Sequence, residues 1–132
     1  MNNTEIEHWG YHLLVQAKKL NEKMNEPSAI KQFLETTVHN IKMTPLSEPM
    51  VVYASSEKDG SGYSAFMFLT TSHISAHFDT NGNTCYFDVF SCKIFDPDIV
   101  LNIFNECFAP ENIDHMWLSR STDPYPYISE ED

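Results

Sequence analysis

The 132-residue sequence predicts an α+β fold, a two-layer sandwich with two helices on one face of a mainly antiparallel sheet. Three observations support this fold class. Short β-rich runs follow one another in the middle of the chain, two segments carry apolar residues at helical spacing, and Asn81-Gly82 marks a hairpin turn. The predicted order is β-α-β-β-β-β-α-β, in a single domain over residues 1–132.

The first part of the chain supplies two strands and a helix. Residues 12–17 form an apolar run short enough for a strand, and the polar segment that follows stops at Pro27. Ser28 is placed to cap a helix. After it, apolar residues recur on one helical stripe, namely Ile30, Phe33, Leu34, Val38 and Ile41. Residues 50–54 are β-rich and form the next strand.

The second part supplies four more strands and a second helix. Residues 63–70 are almost wholly apolar, which predicts a central strand buried on both faces. Residues 72–78 alternate between apolar and polar side chains, and residues 84–90 return beyond the Asn-Gly turn as the antiparallel partner. Asp96-Pro97 begins a helix, and residues 114–120 form the last strand. One sheet face stays uncovered, which favours a homodimer.

Composition excludes several classes of function. A net charge of −11 without a Lys/Arg cluster disfavours nucleic acid and anionic membrane surfaces as partners. No apolar run approaches the roughly 20 residues that span a bilayer, and residues 1–7 lack the pattern of a signal peptide. Three cysteines without a CxxC pair favour reduced thiols in the cytoplasm. Part of the negative charge lies in an acidic tail, about residues 122–132.

Two histidines and three cysteines raise the question of a metal site. His73 and His77 share one face of a strand roughly 13 Å apart, which is too far for both to bind one ion. A zinc site that combines either histidine with Cys85 and Cys92 stays open, although the spacing matches no standard zinc pattern. Cys107 lies on the apolar stripe of the second helix, as a small core residue does. We therefore predict no metal.

One constellation carries a more specific signal. A serine, Ser72, is followed by a histidine five residues on and by a cysteine fifteen residues after that, across one predicted hairpin. In outline, the core of the prokaryotic S-adenosylmethionine decarboxylases reads Glu-Ser-His-x-x-x-His, then a hairpin ending Asp-Val-Phe-x-Cys. The sequence resembles that family over roughly residues 9–120. The matching residues are Ser72, His73, His77, Asp88, Val89, Phe90 and Cys92, with residues 9–15 as the opening strand.

The resemblance implies a self-processing enzyme of polyamine (spermidine) biosynthesis. It implies cleavage between Thr71 and Ser72, which turns Ser72 into a covalent pyruvoyl cofactor. His77 would assist this processing, and Cys92 would return a proton to the substrate carbon after carbon dioxide leaves. S-Adenosylmethionine would be the substrate, with its adenine or sulfonium close to aromatic rings. The aromatic candidates are Tyr11, Tyr53, Tyr63, Phe66 and Phe68, for each of which core packing is the simpler explanation.

The sequence departs from the family's pattern at the cleavage site and in two loops. Thr71 stands where the family normally has glutamate, and the segments at 55–62 and 78–82 differ from those of the usual bacterial members. These departures leave two alternatives open. One is a pyruvoyl-dependent decarboxylase of ornithine or arginine with the same fold. The other is an uncleaved homologue with a binding or regulatory role.

Overall fold

The structure, a computed structural model, describes residues 9–122. The acidic tail predicted from the sequence lies outside the described residues except for Thr122. The strands are β1 (Gly10–Lys18), β2 (Met50–Ala54), β3 (Gly62–Leu69), β4 (Ser72–Asp79), β5 (Thr84–Ser91) and β6 (Asn112–Arg120). The helices are α1 (Pro27–Asn40) and α2 (Pro97–Phe108), with a short 3-10 helix at Glu22–Asn25. The predicted order of strands and helices is confirmed.

The six strands form one antiparallel sheet in the order β2-β3-β4-β5-β1-β6. The turn between β4 and β5 contains Gly82 and Asn83, both in the left-handed region with φ of 90° and 52°. This turn sets a register in which Asp79 faces Thr84 and, at the far end of the hairpin, Ser72 faces Ser91. The predicted hairpin is therefore confirmed at its turn and along both strands.

Both helices pack on the same face of the sheet and bury the core there. The predicted stripe of α1 is buried, and Phe33 at its centre contacts Phe87 of β5 and both Phe104 and Phe108 of α2, each with ring centroids 5.5 Å apart. Asp96 caps α2 by accepting a hydrogen bond from the Asp98 backbone N–H. Aromatic packing between helices and sheet therefore fixes the two layers.

The opposite face of the sheet has no helix over it. This face, called the open face below, carries the even-numbered side chains of β1, β2, β3, β5 and β6 and the odd-numbered side chains of β4. It exposes several large apolar side chains, between 38% and 61% of each: Leu14, Met50, Val52, Phe68, Tyr86 and Met116. In the described part of the chain, no helix is long and apolar enough to cross a membrane.

Two local predictions were wrong. The strand predicted to be buried on both faces is β3, which is buried on the helix side only and leaves Phe68 55% exposed on the open face. β3 has apolar side chains on both faces, so its sequence pattern is the same as that of a strand buried on both faces. Ser28 does not cap α1, because the helix already begins at Pro27 and the N-cap residue, Glu26, makes no side-chain cap bond. Proline has the φ angle that the first helical position needs.

A buried hydroxyl in α1 has no hydrogen-bond partner among the described residues and should therefore lower the stability of the fold. Thr37 is fully buried, and its Oγ1 has no hydrogen-bond partner. Thr37→Val keeps the shape and removes an unsatisfied polar group, so the free energy of unfolding should rise by about 1 kcal/mol. Urea unfolding measures the change. The half-buried Thr36 gives the matched control, because Thr36→Val should bring no comparable gain; a loss of stability in Thr37→Val would contradict the assignment.

Candidate active site

Ser72 lies where the chain turns from β3 into β4. Leu69 pairs with Ser72, so the turn contains only Thr70 and Thr71. The Ser72 side chain belongs to the helix-covered face and is 8% exposed. The serine singled out by the sequence is therefore a nearly buried hydroxyl next to an exposed turn.

The residue before this serine has a strained backbone. Thr71 has a φ of 55°, in the left-handed region that a β-branched residue rarely adopts. Such a conformation costs on the order of 1–3 kcal/mol and persists only where the surroundings hold it. The Thr71 carbonyl oxygen accepts a hydrogen bond of 3.3 Å from the backbone N–H of Cys92, which holds the strained residue in place.

A second serine, which the sequence reasoning missed, faces the first. The Ser72 hydroxyl donates to Ser91 Oγ at 2.8 Å and lies 3.2 Å from the Thr70 carbonyl oxygen. Ser91 is fully buried. A signal for it was available, because counting back along both strands from the Asn81-Gly82 turn places residue 91 opposite residue 72.

Cys92 follows directly after β5 and lies at the same end of the hairpin as Ser72. Its side chain is exposed, and it lines a shallow cavity of about 280 Å³ together with Trp9, Phe90 and Arg120. The guanidinium of Arg120 lies over the Phe90 ring, 4.9 Å from its centroid. The structure therefore brings the backbones of Ser72 and Cys92 to the same end of the hairpin, while the Ser72 hydroxyl lies on the helix-covered face and the Cys92 thiol lines a cavity with the open-face side chain of Phe90.

The other two cysteines have different surroundings. Cys85 is buried in the core and Cys107 is half-buried against α1, and burial raises the pKa of both thiols. Protonated, sheltered thiols of this kind are inert. Cys85 points to the core face and Cys92 lies at the opposite end of β5, so the two do not converge with His73 or His77. Within residues 9–122 no group of three metal-ligating side chains forms.

His77 lies away from Ser72 of the same chain. The two residues are five positions apart on one strand, about 17 Å by strand rise, and their side chains point to opposite faces. His77 Nδ1 instead lies 2.8 Å from the Oγ of Ser64 on β3, and the pair is exposed on the open face. Sequence reasoning missed Ser64, which only the β3–β4 register brings opposite His77.

The open face also carries a polar network next to the hairpin. His12 Nε2 lies 2.7 Å from Asp88 Oδ2, and the other carboxylate oxygen accepts a hydrogen bond from the Ser75 hydroxyl. His73 stacks on Phe66 and comes within 3.6 Å of the same carboxylate. These contacts hold the Asp88 carboxylate in the middle of the sheet and orient the His12, Ser75 and His73 side chains around it on the open face.

The aromatic candidates divide between the two faces. Tyr11 stacks on Trp117 on the helix-covered side, with ring centroids 5.9 Å apart. Phe66 and Phe68 are in contact on the open face, and Tyr53 packs against Tyr63 at the β2–β3 edge. The two rings that line the cavity together with Cys92 are those of Trp9 and Phe90, neither of which was among the predicted aromatics.

Comparisons with known proteins agree with this architecture. The family model described as S-adenosylmethionine decarboxylase matches residues 11–121. The solved structure of the adenosylmethionine decarboxylase from Aquifex aeolicus VF5 is similar with a TM-score of 0.69 and 20% sequence identity, over 93% of this chain and 99% of that chain. No curated protein sequence matches. The structural likeness supports the fold, and the family model covers the turn, the hairpin and both helices. The chain belongs to the S-adenosylmethionine decarboxylase family.

Proposed function

We propose that the chain cleaves itself between Thr71 and Ser72 and then decarboxylates S-adenosylmethionine for spermidine biosynthesis. The observation that carries the proposal is the strained Thr71, whose carbonyl is held by the Cys92 N–H directly before a buried serine hydroxyl. Strain raises the energy of the intact peptide bond, and a backbone donor stabilises the charge that develops on the carbonyl oxygen. Both effects favour attack at that carbonyl.

Cleavage proceeds by chemistry that these residues supply. The Ser72 oxygen attacks the Thr71 carbonyl carbon, the bond from that carbon to the Ser72 nitrogen breaks, and the hydroxyl proton moves to the freed amine. The resulting ester then loses the Ser72 Cα proton and releases the Thr71 carboxylate, which leaves a dehydroalanine. Hydrolysis of this dehydroalanine releases ammonia and leaves a pyruvoyl group at position 72.

The fold tolerates this break in the chain. After cleavage, β4 is still paired with β3 along one side and with β5 along the other. β1, from the first fragment, lies between β5 and β6 of the second fragment. The two fragments therefore share one sheet and one core, and cleavage at the two-residue turn removes no strand pairing.

The residues around position 72 fit a pyruvoyl group. Such a group would be no larger than the serine from which it derives, and it would be held by the Ser91 hydroxyl and the Cys92 N–H, which now bind Ser72 and Thr71. It supplies a carbonyl that draws electrons away from the bond to the departing carboxylate. Cys92 would hold the proton that the substrate carbon takes up, and its exposed thiol lines the same cavity as Trp9 and Phe90. The exposed Trp9 ring suits the positively charged sulfonium, whereas the Arg120 guanidinium already lies over the Phe90 ring.

His77 needs a second copy of the chain for the role that the resemblance implies. Its distance from Ser72 rules out direct contact within one chain, whereas the open face exposes a broad apolar surface that a homodimer would cover. A twofold axis in the plane of that interface, perpendicular to the strands, places opposite strand ends against each other. We therefore place the Ser64–His77 pair of one copy against the open-face side of the Thr71–Ser72 turn of the other. The three unpaired cysteines support a reducing compartment, the cytoplasm.

The backbone strain at Thr71 should speed self-cleavage, so a variant that relieves the strain should cleave more slowly. Thr71→Gly relaxes the left-handed residue and should slow self-cleavage about fivefold, the factor that corresponds to 1 kcal/mol of lost strain. The rate is followed by intact mass on freshly made protein. Asn83→Gly is the matched control, because Asn83 has a similar φ of 52° in the next turn. A Thr71→Gly variant that cleaves as fast as wild type would show that strain plays no part.

The role assigned to Cys92 can be tested by removing its thiol. Cys92→Ala should still cleave but should release carbon dioxide from S-adenosylmethionine at least about 100-fold more slowly, as loss of a general acid does. Cys107→Ala removes a half-buried thiol elsewhere and should keep wild-type turnover. Turnover of Cys92→Ala within twofold of wild type would remove Cys92 from the mechanism. Ornithine and arginine are tested in parallel, and faster turnover of either would overturn the substrate assignment.

The placement of His77 next to the Thr71–Ser72 turn of a second copy can be tested with mixed dimers. Ser72→Ala chains should stay uncleaved, and His77→Ala homodimers should cleave slowly. In a mixed dimer of the two variants, the chain that keeps Ser72 faces a partner that keeps His77, so that chain should cleave at close to the wild-type rate. Differently tagged chains and intact mass measure this. Slow cleavage in the mixed dimer, or a monomer by sedimentation, would contradict action between copies.

A further inference from the structure

Three consecutive residues hold both sides of the bond that is proposed to break. The Ser91 Oγ accepts the proton of the Ser72 hydroxyl at 2.8 Å, and the Cys92 N–H holds the Thr71 carbonyl oxygen at 3.3 Å. The Lys93 N–H in turn donates to Ser91 Oγ at 2.8 Å. Ser91 at the end of β5 and the two residues after it therefore hold both the attacking hydroxyl and the carbonyl that it attacks.

The direction of the bond between the two serines follows from the surroundings of Ser91. Its own hydroxyl proton points to Met43 Sδ, 3.6 Å away, and a thioether sulfur can only accept. Its oxygen also accepts from the Lys93 N–H. With its proton engaged elsewhere, Ser91 presents a lone pair to Ser72, so Ser72 is the donor.

This direction matters for the attack on Thr71. A Ser72 hydroxyl that donates to Ser91 turns its proton away from the reacting centre and leaves its own lone pairs free for the carbonyl carbon. Without Ser91, the acceptor within reach is the Thr70 carbonyl at 3.2 Å, on the turn itself. A buried hydroxyl with one strong acceptor is confined to one rotamer, which is the positioning that such a reaction requires.

We propose that Ser91 is a positioning residue for self-cleavage, which orients the Ser72 hydroxyl as a hydrogen-bond donor. The proposal rests on the proposed function, since it concerns the cleavage step. It assigns Ser91 no proton-transfer role of its own: the proton still passes from Ser72 Oγ to the Ser72 nitrogen. It also gives Met43 a role, because the sulfur determines which way the Ser91 hydroxyl points.

The test compares cleavage rates of folded precursor by intact mass. Ser91→Ala should cleave about tenfold more slowly than wild type, the factor for one lost buried hydrogen bond. Ser91→Thr keeps the hydroxyl and should restore most of the rate. Thr37→Val is the matched control, because it also removes a fully buried hydroxyl but lies on α1 without a partner, and it should cleave as wild type does.

A second variant covers the case in which Ser91→Ala does not fold. Met43→Leu keeps the volume but removes the acceptor, so the Ser91 proton is free to turn towards Ser72 and cleavage should slow. The proposal would be overturned if Ser91→Ala cleaved as fast as the control Thr37→Val. If Ser91→Ala does not fold, the same outcome for Met43→Leu would overturn it. A wild-type chain that never cleaves would instead overturn the proposed function, so the two failures are distinguishable.

Discussion

The register between β4 and β5 is the constraint on which the candidate site depends. The Asn81-Gly82 turn fixes it at one end, and at the other it places Ser72 opposite Ser91 and the Cys92 N–H against the Thr71 carbonyl. A slip of one residue would turn every side chain of β4 to the other face and move Ser72 out of the core. The helix layer opposes such a slip, because Ile74, Ala76 and Phe78 are buried against it.

Much of the fold could be predicted from the sequence because its signals are local. Two apolar stripes, a capped and proline-started second helix and an Asn-Gly turn each specify an element without reference to the rest of the chain. The one strand misread, β3, has apolar side chains on both faces, and a single sequence does not tell a face covered by helices from one left open. Both cases place phenylalanine at the same positions, so the exposed Phe68 could not be foreseen.

The site could be predicted only in part, for similar reasons. The spacing of the family pattern placed Ser72 and Cys92 at one end of a hairpin, and Ser91 could have been found by counting along the same two strands. The left-handed backbone of Thr71 has no signature in sequence, because threonine is uncommon in that conformation. The Ser64–His77 pair depends on the pairing of β3 with β4. The separation of His77 from Ser72, by contrast, follows from five positions of strand rise and could have been predicted from the sequence.

Self-cleavage at this turn is tested most directly by the intact mass of the purified wild-type protein under denaturing conditions. Self-cleavage should give two chains: residues 1–71, and residues 72–132 beginning with a pyruvoyl group in place of Ser72. A single species of 15.2 kDa that stays intact over time would contradict it. The strained turn would then be a feature of a family member that has kept the geometry without the reaction.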